Sequence, residues 1–333
     1  MTDPEISIII PARDEEPNIG RCLESLVNQE GISFEIFVVD DHSTDNTARI
    51  AGSFPQVQVL SAAPLRPGWT GKANAIQTAI ALARGRWFLF TDADTVHSPG
   101  ALERSLAEAQ EHRVALLSYS PLQETGSRWE RAIQPVIFAE LNRSFTYEEI
   151  NRPDSQVAAA NGQYILIARA VYEAIGGHAA VKGSLLEDVD LARLVKRVGK
   201  LRFRYGPDAV SARMYRGLQD LITGWTKNLA ALFPGAWRLA AVRFLEALLL
   251  LGGPWAALML LAGQRWFWGA WAACATLICY LGLARRLRKA GWNLAGSPWS
   301  VLGVPFLAYL LLRSYFVYTV RKKVTWKGRS FST

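Results

Sequence analysis

The chain has 333 residues, of which 50% are hydrophobic, so it is long enough for one or two domains with sizeable cores. Its net charge of +8 is uneven: residues 241–333 hold 12 Lys and Arg and one acid, whereas residues 1–240 hold 25 Lys and Arg against 28 acids. Because the N-terminal part is slightly acidic, we exclude nucleic acid as a partner. The three cysteines form no CxxC pair, which excludes a disulfide framework and indicates a reducing compartment.

Residues 5–120 alternate between short apolar runs and amphipathic segments. Strands are predicted at 6–11, 35–41, 57–62, 86–92 and 114–120. Helices are predicted at 16–29, 43–54, 72–84 and 98–112. Near-continuous apolar strands separated by helices predict an α/β fold whose mainly parallel sheet is covered on both faces.

The order of elements is less regular between residues 121 and 240. A long helix is predicted at 127–150, and the later elements are a strand at 162–169, a helix at 186–199, a strand at 200–205 and a helix at 218–233. The last helix places Trp225, Leu229 and Leu232 on one apolar side. We expect residues 218–240 to include a helix that lies along a membrane surface.

Three apolar segments follow, at 244–262, 266–283 and 298–320. A membrane span needs about 20 apolar residues, and basic clusters and Trp or Tyr flank these segments. We therefore predict a soluble domain over residues 1–240 and a membrane domain over 241–333, with two or three transmembrane helices and a basic tail. Three buried helices of a soluble domain are the alternative.

The orientation in the membrane presents a conflict. The loop at 284–297 and the tail at 321–329 are both basic, and basic loops favour the cytoplasmic side. Three full spans would place them on opposite sides. We expect three spans, and the alternative is a re-entrant last segment interrupted near Pro305 or Arg313.

Polar residues stand where the predicted strands end. "PARDEE" (11–16) follows the first strand, "DDHSTD" (40–45) the second and "DAD" (92–94) the fourth, while "GWTGKANA" (68–75) opens the third helix. Ligands of open parallel sheets bind beyond the carboxyl ends of the strands, so these groups are expected to converge. GxGxxG, P-loop and GxGxR-type glycine motifs are absent from the sequence, which disfavours dehydrogenases, P-loop enzymes and sugar nucleotidyltransferases.

The ordered set "IIIPARDEE", "VVDDHSTD", "GKANA", "FTDAD" and "LLEDVDL" resembles a family-2 glycosyltransferase of the GT-A fold, over roughly residues 5–230. Such enzymes move a sugar from a nucleotide diphosphate to an acceptor with inversion. The resemblance implies that the soluble domain is the catalytic domain.

The resemblance also assigns a metal and a donor site. Asp94, with Asp92, would hold Mg²⁺ or Mn²⁺ against the diphosphate, since hard divalent cations take carboxylate oxygens. The alternative is a strand-end turn or helix cap built from Asp residues. The residues expected to bind the donor are Ala12, Glu15, Asp40, Asp41, Lys72 and Asp92.

These donor residues have distinct expected roles. Asp40 would accept from the base, by resemblance uracil, and Asp41 would support its loop. Glu15 would reach the nucleoside, and Ala12 would allow close approach of the backbone. Lys72, at a helix start, would contact phosphate, and a surface lysine is its alternative.

Glu187 and Asp188 match the acidic pair that carries catalysis in the family. Asp188 would be the base that takes the proton of the acceptor hydroxyl, and Glu187 its neighbour or an acceptor contact. The alternative is that these acidic residues only stabilise the first turn of a helix through its dipole, above all in the case of Glu187.

Processive polysaccharide synthases of this family carry Q-x-x-R-W, but the matching stretch here is "LITGW" (221–225). This departure counts against polymer synthesis. A cation that closes over the diphosphate would come from Arg213, Arg216 or Lys227. The expected diphosphate or acceptor contacts are Arg216, Trp225 and Lys227. Binding of lipid headgroups is their alternative.

"PGWTGKANA", "GWTKN" and the terminal "VTWKGRSF" are most similar to the branch that acts on lipids, which includes ceramide glucosyltransferases and bacterial hopanoid- and carotenoid-associated glycosyltransferases. We therefore expect an inner-membrane enzyme with a cytoplasmic catalytic domain that adds one sugar, from UDP-glucose or a similar donor, to a lipid. A polyprenyl-phosphate glycosyltransferase, a processive synthase and a catalytically silent nucleotide-sugar-binding protein are the alternatives.

Overall fold

A computed structural model describes residues 3–292, 294, 298–326 and 329–332, with side chains described up to Lys323. The chain divides into two compact units, residues 1–124 with 147–214, and residues 125–146 with 215–333. The units do not separate at the predicted boundary of residue 240. Parts of two predicted features, the loop at 284–297 and "VTWKGRSF", lie outside the described residues.

The first unit contains a large and a small sheet. Its strands are β1 (Ile6–Ala12), β2 (Phe34–Asp40), β3 (Val57–Ser61), β4 (Trp87–Phe90), β5 (Thr95–His97), β6 (Leu116–Ser120), β7 (Leu122–Gln123), β8 (Ile165–Ala168), β9 (Leu201–Tyr205) and β10 (Val210–Ala212). Its helices, numbered along the whole chain, are α1 (Ile19–Val27), α2 (Thr47–Ala51), α3 (Gly71–Ile80), α4 (Ala101–Glu111), α6 (Tyr147–Asn151), α7 (Arg169–Ala174), α8 (Gly177–Ala180) and α9 (Glu187–Val198).

The large sheet has seven strands in the order β3-β2-β1-β4-β8-β6-β9. Its neighbours pair in parallel except at β8, which runs antiparallel to β4 and β6. The predicted α/β fold with a mainly parallel sheet is therefore confirmed. The reversal of β8 brings its N-terminal end to the edge where β4 and β6 have their carboxyl ends.

The sheet is covered on both faces, as its apolar strands predict. In β1, Ile6, Ile8 and Ile10 are fully buried in a cluster that includes Leu23 of α1 and Leu102 of α4. Burying one such side chain contributes roughly 1.5–3 kcal/mol, so this cluster holds the sheet rigid beneath the residues at its edge.

Several predicted helices are shorter in the structure. The predicted helix at 16–29 spans only Ile19–Val27, and the one at 43–54 only Thr47–Ala51. The helix predicted at 127–150 ends at Ser144, because Phe145 leaves the helical conformation, and a separate α6 follows. The strand predicted at 162–169 begins at Ile165, so residues 161–164 form a turn before it.

The second unit is helical. Its helices are α5 (Arg128–Ser144), α10 (Leu218–Leu232), α11 (Ala236–Ala262), α12 (Trp266–Lys289) and α13 (Ser300–Phe316), followed by a π-helical turn (Val317–Arg321) and a hairpin of β11 (Lys323–Trp326) and β12 (Arg329–Ser332). Among the described residues, α11, α12 and the helix Ser300–Arg321 are long and apolar enough to cross a membrane. Pro305 lies inside α13 without ending it.

The predicted helix at 218–233 is present as α10, but protein rather than solvent or lipid covers much of its apolar side. Trp225 is 2% exposed, with its ring centroid 5.9 Å from those of Phe138 and Tyr215. Leu229 is fully buried. A role for these two side chains in lying on a membrane surface is therefore wrong.

Charged residues are buried where α5, α11 and α12 meet. Glu246 pairs with Arg243 on its own helix and with Arg286 of α12, and Arg243 Nε lies 3.7 Å from Glu140 Oε2 of α5. Because unpaired charge is costly in an apolar setting, these pairs fix which faces of the three helices can pack together.

Candidate active site

The carboxyl edge of the large sheet gathers the acidic residues that the sequence singled out. β2, β1 and β4 are parallel neighbours, and Ala12 at the end of β1 is in register with Asp40 at the end of β2. Asp92 and Asp94 follow the end of β4 after two and four residues. The expected convergence at one edge is therefore present.

Lys72 joins acidic residues from two different elements. It lies in the first turn of α3, whose N-cap Thr70 accepts the N–H of Ala73. Its Nζ is 2.7 Å from Asp92 Oδ1 and 3.0 Å from Glu187 Oε1. Burial would lower the pKa of Lys72, but these two carboxylates and Asp188 outweigh it and hold the pKa above its usual range.

Asp94, the second carboxylate after β4, is half-buried and contacts a buried glutamine. Its two oxygens each lie 3.3 Å from Nε2 of Gln163, which donates to them. Burial, with the charges of Asp92 and Glu15, raises the pKa of Asp94 to about 7. A cation bound beside Asp94 would favour its ionised form.

Asp188 stands beside Glu187 in the first turn of α9. Its Oδ2 accepts the backbone N–H of Gly162 at 2.9 Å, and its Oδ1 accepts that of Val189 at 2.8 Å. Burial and the charge of Glu187 raise the pKa of Asp188 to about 6, against the opposing effect of Lys72. A half-buried carboxylate with this pKa can take a proton near neutral pH.

The residues expected to bind the nucleoside lie at the β1–β2 end of the edge. Asp40 accepts weakly from the N–H of Ser43, 3.4 Å from each oxygen. Asp41 is buried, and its backbone N–H donates to the carbonyl of Ala12 at 2.7 Å. Glu15 accepts from Asn18 Nδ2 at 2.7 Å.

Arg213 lies next to Asp94. Its backbone N–H donates to the carbonyl of Asp94 at 3.2 Å. The two residues line a small pocket with Asn18, Arg21 and Glu124. Of the three cations considered from the sequence, Arg213 is thus the one that the first unit brings to the acidic site.

The other expected contacts belong to the second unit. Arg216 is exposed, Trp225 is buried, and Lys227 is half-buried with its carbonyl accepting from Tyr318 Oη at 2.6 Å. A 2% exposed Trp225 cannot touch a substrate without repacking, so its expected contact with diphosphate or acceptor is not supported by its position.

Sequence reasoning missed Gly162 and Gln163. They follow Asn161 in the triplet "NGQ", which ends one residue before the start of β8. The signal in the sequence was a polar triplet before an apolar strand. The triplet lies at the carboxyl edge of β4 only because β8 runs antiparallel to β4.

The chain is similar to known glycosyltransferases in sequence and in fold. The model of "Glycosyl transferase family 2" matches residues 7–176. A 4,4'-diaponeurosporenoate glycosyltransferase of Staphylococcus aureus is 30% identical over 231 residues, which are 68% of this chain and 60% of the relative, so the chain spans about 60% of that relative's length.

A solved mannosyltransferase of Pyrobaculum calidifontis, in complex with GDP-Man and Mn²⁺, shares the fold with a TM-score of 0.55. It is 19% identical, and the comparison covers 97% of this chain and 89% of that one. The extent of the family match, together with the 30% identical relative, shows that this chain belongs to glycosyl transferase family 2.

Proposed function

We propose that this chain transfers one sugar, with inversion, from a UDP-sugar such as UDP-glucose to a membrane lipid. The observation that carries the proposal is the grouping of Asp92, Lys72, Glu187 and Asp188 at the carboxyl edge of the sheet. Their joint chemistry suits a leaving group that gains negative charge and an acceptor that loses a proton.

A divalent cation fits the residues present. Asp92 and Asp94 are two carboxylates separated by one residue, and burial together with the charges of Asp92 and Glu15 raises the pKa of Asp94, an effect that a bound cation would oppose. Among the described residues, no group of three or more His, Cys, Asp and Glu side chains could hold a metal by itself. Magnesium-type sites in which one or two carboxylates act together with substrate phosphates need no such group.

When bound, such a cation would neutralise charge on the departing diphosphate. The chain's own groups then have defined tasks. Lys72 presents its ammonium beside Asp92, at a helix start where the dipole also favours phosphate. Asp40 and Glu15, at the β1–β2 end, are the proposed contacts of the base and the nucleoside.

Asp188 is the proposed base. The acceptor oxygen forms a bond to the anomeric carbon as the bond to the diphosphate oxygen breaks, and the electron pair of that bond leaves with the diphosphate. The proton of the acceptor hydroxyl passes to Asp188, whose raised pKa of about 6 keeps it ionised but basic at neutral pH. Attack from the side opposite the leaving group inverts the anomeric centre.

The lipid acceptor is proposed from the helices and from the relative. Three helices are apolar enough to span a membrane, which would anchor the chain where apolar acceptors are dissolved. The name of the Staphylococcus aureus relative indicates that it glycosylates a carotenoid acid. We further propose a multi-pass protein of the inner membrane with a cytoplasmic catalytic unit.

The test is incubation of membranes containing the chain with labelled UDP-glucose, other UDP-sugars and GDP-mannose, followed by mass spectrometry of the lipid extract. A lipid heavier by one sugar is expected, and it should be absent with Asp188→Asn. Lys200→Gln, at an exposed position, is the matched control and should retain activity.

Three results would contradict the proposal. A labelled soluble polymer would indicate a processive synthase. A labelled polyprenyl phosphate, formed with little loss in Asp188→Asn, would indicate a phosphate acceptor, which needs less help from a base. Donor binding with no transfer or hydrolysis would indicate a binding protein.

A further inference from the structure

We infer that the turn Asn161–Gly162–Gln163 positions the two functional carboxylates of this site, Asp94 through the side chain of Gln163 and Asp188 through the N–H of Gly162. This inference rests on the proposed function. It adds two positioning residues on one short segment that lies between the proposed cation site and the proposed base.

Hydrogen bonds from the strands on both sides hold the turn. Ser118 Oγ of β6 accepts the N–H of Asn161 at 2.9 Å and donates to the carbonyl of Tyr164 at 2.8 Å. On the other side, Thr91 Oγ1 donates to the carbonyl of Gln163 at 2.8 Å. The N–H of Gln163 donates to Asn161 Oδ1 at 3.0 Å, which closes the turn on itself.

The side chain of Gln163 has a defined direction. It is 3% exposed, and its Oε1 accepts from Nε2 of Gln123 at 3.3 Å. The amide nitrogen of Gln163 therefore faces Asp94 and donates to both of its oxygens. A fixed donor of this kind limits the rotation of a carboxylate, and such partners of metal-binding groups tune affinity in other proteins.

Gly162 is placed where a side chain would disturb the other carboxylate. A Cβ on it would lie 2.6 Å from Lys72 Nζ and 3.5 Å from Asp188 Oδ2. Because Gly162 has no side chain, its backbone N–H can approach Asp188 Oδ2 to 2.9 Å without displacing Lys72. The turn thus links the loop after β4 and the first turn of α9, which are far apart along the chain.

The test uses the full chain in detergent and the variant Gln163→Leu, which replaces the amide by methyl groups one bond nearer the backbone and so removes its donor. Binding of Mn²⁺ in the presence of UDP, which supplies the phosphate oxygens, is measured by the electron paramagnetic resonance of the free ion, against a protein-free mixture of Mn²⁺ and UDP. Sugar transfer is measured across Mn²⁺ concentrations. Gln110→Leu, on the exposed face of α4, is the matched control.

We expect Gln163→Leu to weaken Mn²⁺ binding about 10- to 100-fold. Its kcat should return close to the wild-type value at saturating Mn²⁺, and its melting temperature should fall somewhat below that of Gln110→Leu, because Gln123 loses a buried acceptor. A kcat that stays low at every Mn²⁺ concentration would indicate general damage to the site and would overturn the positioning role.

The measurements distinguish a failure of the positioning role from a failure of the proposed function. If the wild-type chain binds Mn²⁺ and the Leu variant binds it equally well, the role of Gln163 is wrong and the proposed function is untouched. If the wild-type chain transfers sugar without binding Mn²⁺, both the metal site and this positioning role are wrong. If it neither binds Mn²⁺ nor transfers sugar, the proposed function falls with them.

Discussion

Lys72 Nζ lies 2.7 Å from Asp92 Oδ1, within a group of carboxylates that spans two elements of the fold. The sequence places Lys72 at a helix start and predicts contact with phosphate. In the structure, Lys72 Nζ forms ion pairs with Asp92 and Glu187. A lysine in this position can serve both tasks, since its ammonium has three donors and a diphosphate would bring further acceptors to the same point.

Replacing Lys72 by Gln should lower kcat/KM for the donor by about 10²-fold. The substitution removes the cation that would offset the developing charge of the leaving group. The same cation compensates the charges of Asp92, Glu187 and Asp188. Lys72→Arg should not restore activity, since the space beside Gly162 is already filled by the ammonium. Initial rates across donor concentrations check this, with Lys200→Gln as the exposed control. A Lys72→Gln enzyme with unchanged rates would contradict a role for this ammonium.

The rate of sugar transfer should depend on pH through Asp188. Its pKa is raised to about 6, so the carboxyl is protonated and inactive as a base below that pH and ionised above it. At saturating divalent cation, which keeps the Asp94 carboxyl ionised, we expect kcat/KM to rise with pH through about 6 and to level off above 7. Asp188→Asn should be slower by roughly 10²–10⁴ and should lack this acidic limb.

The same pH profile distinguishes a hydroxyl acceptor from a carboxylate acceptor. A hydroxyl acceptor needs the base and should show the limb, whereas a carboxylate acceptor is already ionised at neutral pH and should depend on Asp188 much less. An unchanged limb in Asp188→Asn would show that another group titrates.

Gly162→Ala should lower kcat while the chain stays folded. The added Cβ would meet the end of the Lys72 side chain at 2.6 Å, and that flexible end can move aside at small cost to stability. Its movement would break the contacts with Asp92 and Glu187. We expect a loss of about 10-fold or more in kcat and a melting temperature near that of the wild type, measured on the purified full chain.

Gly217→Ala is a suitable control, because a Cβ there meets nothing within 4 Å. If both alanine variants lose kcat equally, close packing at Gly162 does not explain the effect.

Glu246→Gln should destabilise the helical unit. Glu246 is 9% exposed and pairs with both Arg243 and Arg286, so its neutralisation removes a charge partner from each, although Arg243 keeps Glu140 nearby. Removing one partner of a buried pair typically costs about 3–5 kcal/mol. Thermal unfolding in detergent should show a clear fall in melting temperature.

Arg285→Gln, one residue before Arg286 but exposed, should leave that temperature nearly unchanged. Equal melting temperatures for the wild type and Glu246→Gln would mean that the charges at this helix junction are solvated and contribute little.

Some features of this protein were determined by its sequence alone. The alternation of apolar strands and amphipathic helices specified the parallel sheet, and parallel strands share one carboxyl edge, so the acids after β1, β2 and β4 had to lie along it. The lengths of the apolar segments likewise specified three helices able to span a membrane.

The tertiary structure alone decided which side chains meet. Residues 161–163 reach the acidic site because β8 runs antiparallel between β4 and β6, and strand direction is not written in the apolar pattern of a four-residue strand. The pairing of Lys72 with Glu187 and the burial of Trp225 depend in the same way on packing between distant segments. Local sequence determines the elements, whereas the contacts that make a site come from burial of faces that the chain brings together only on folding.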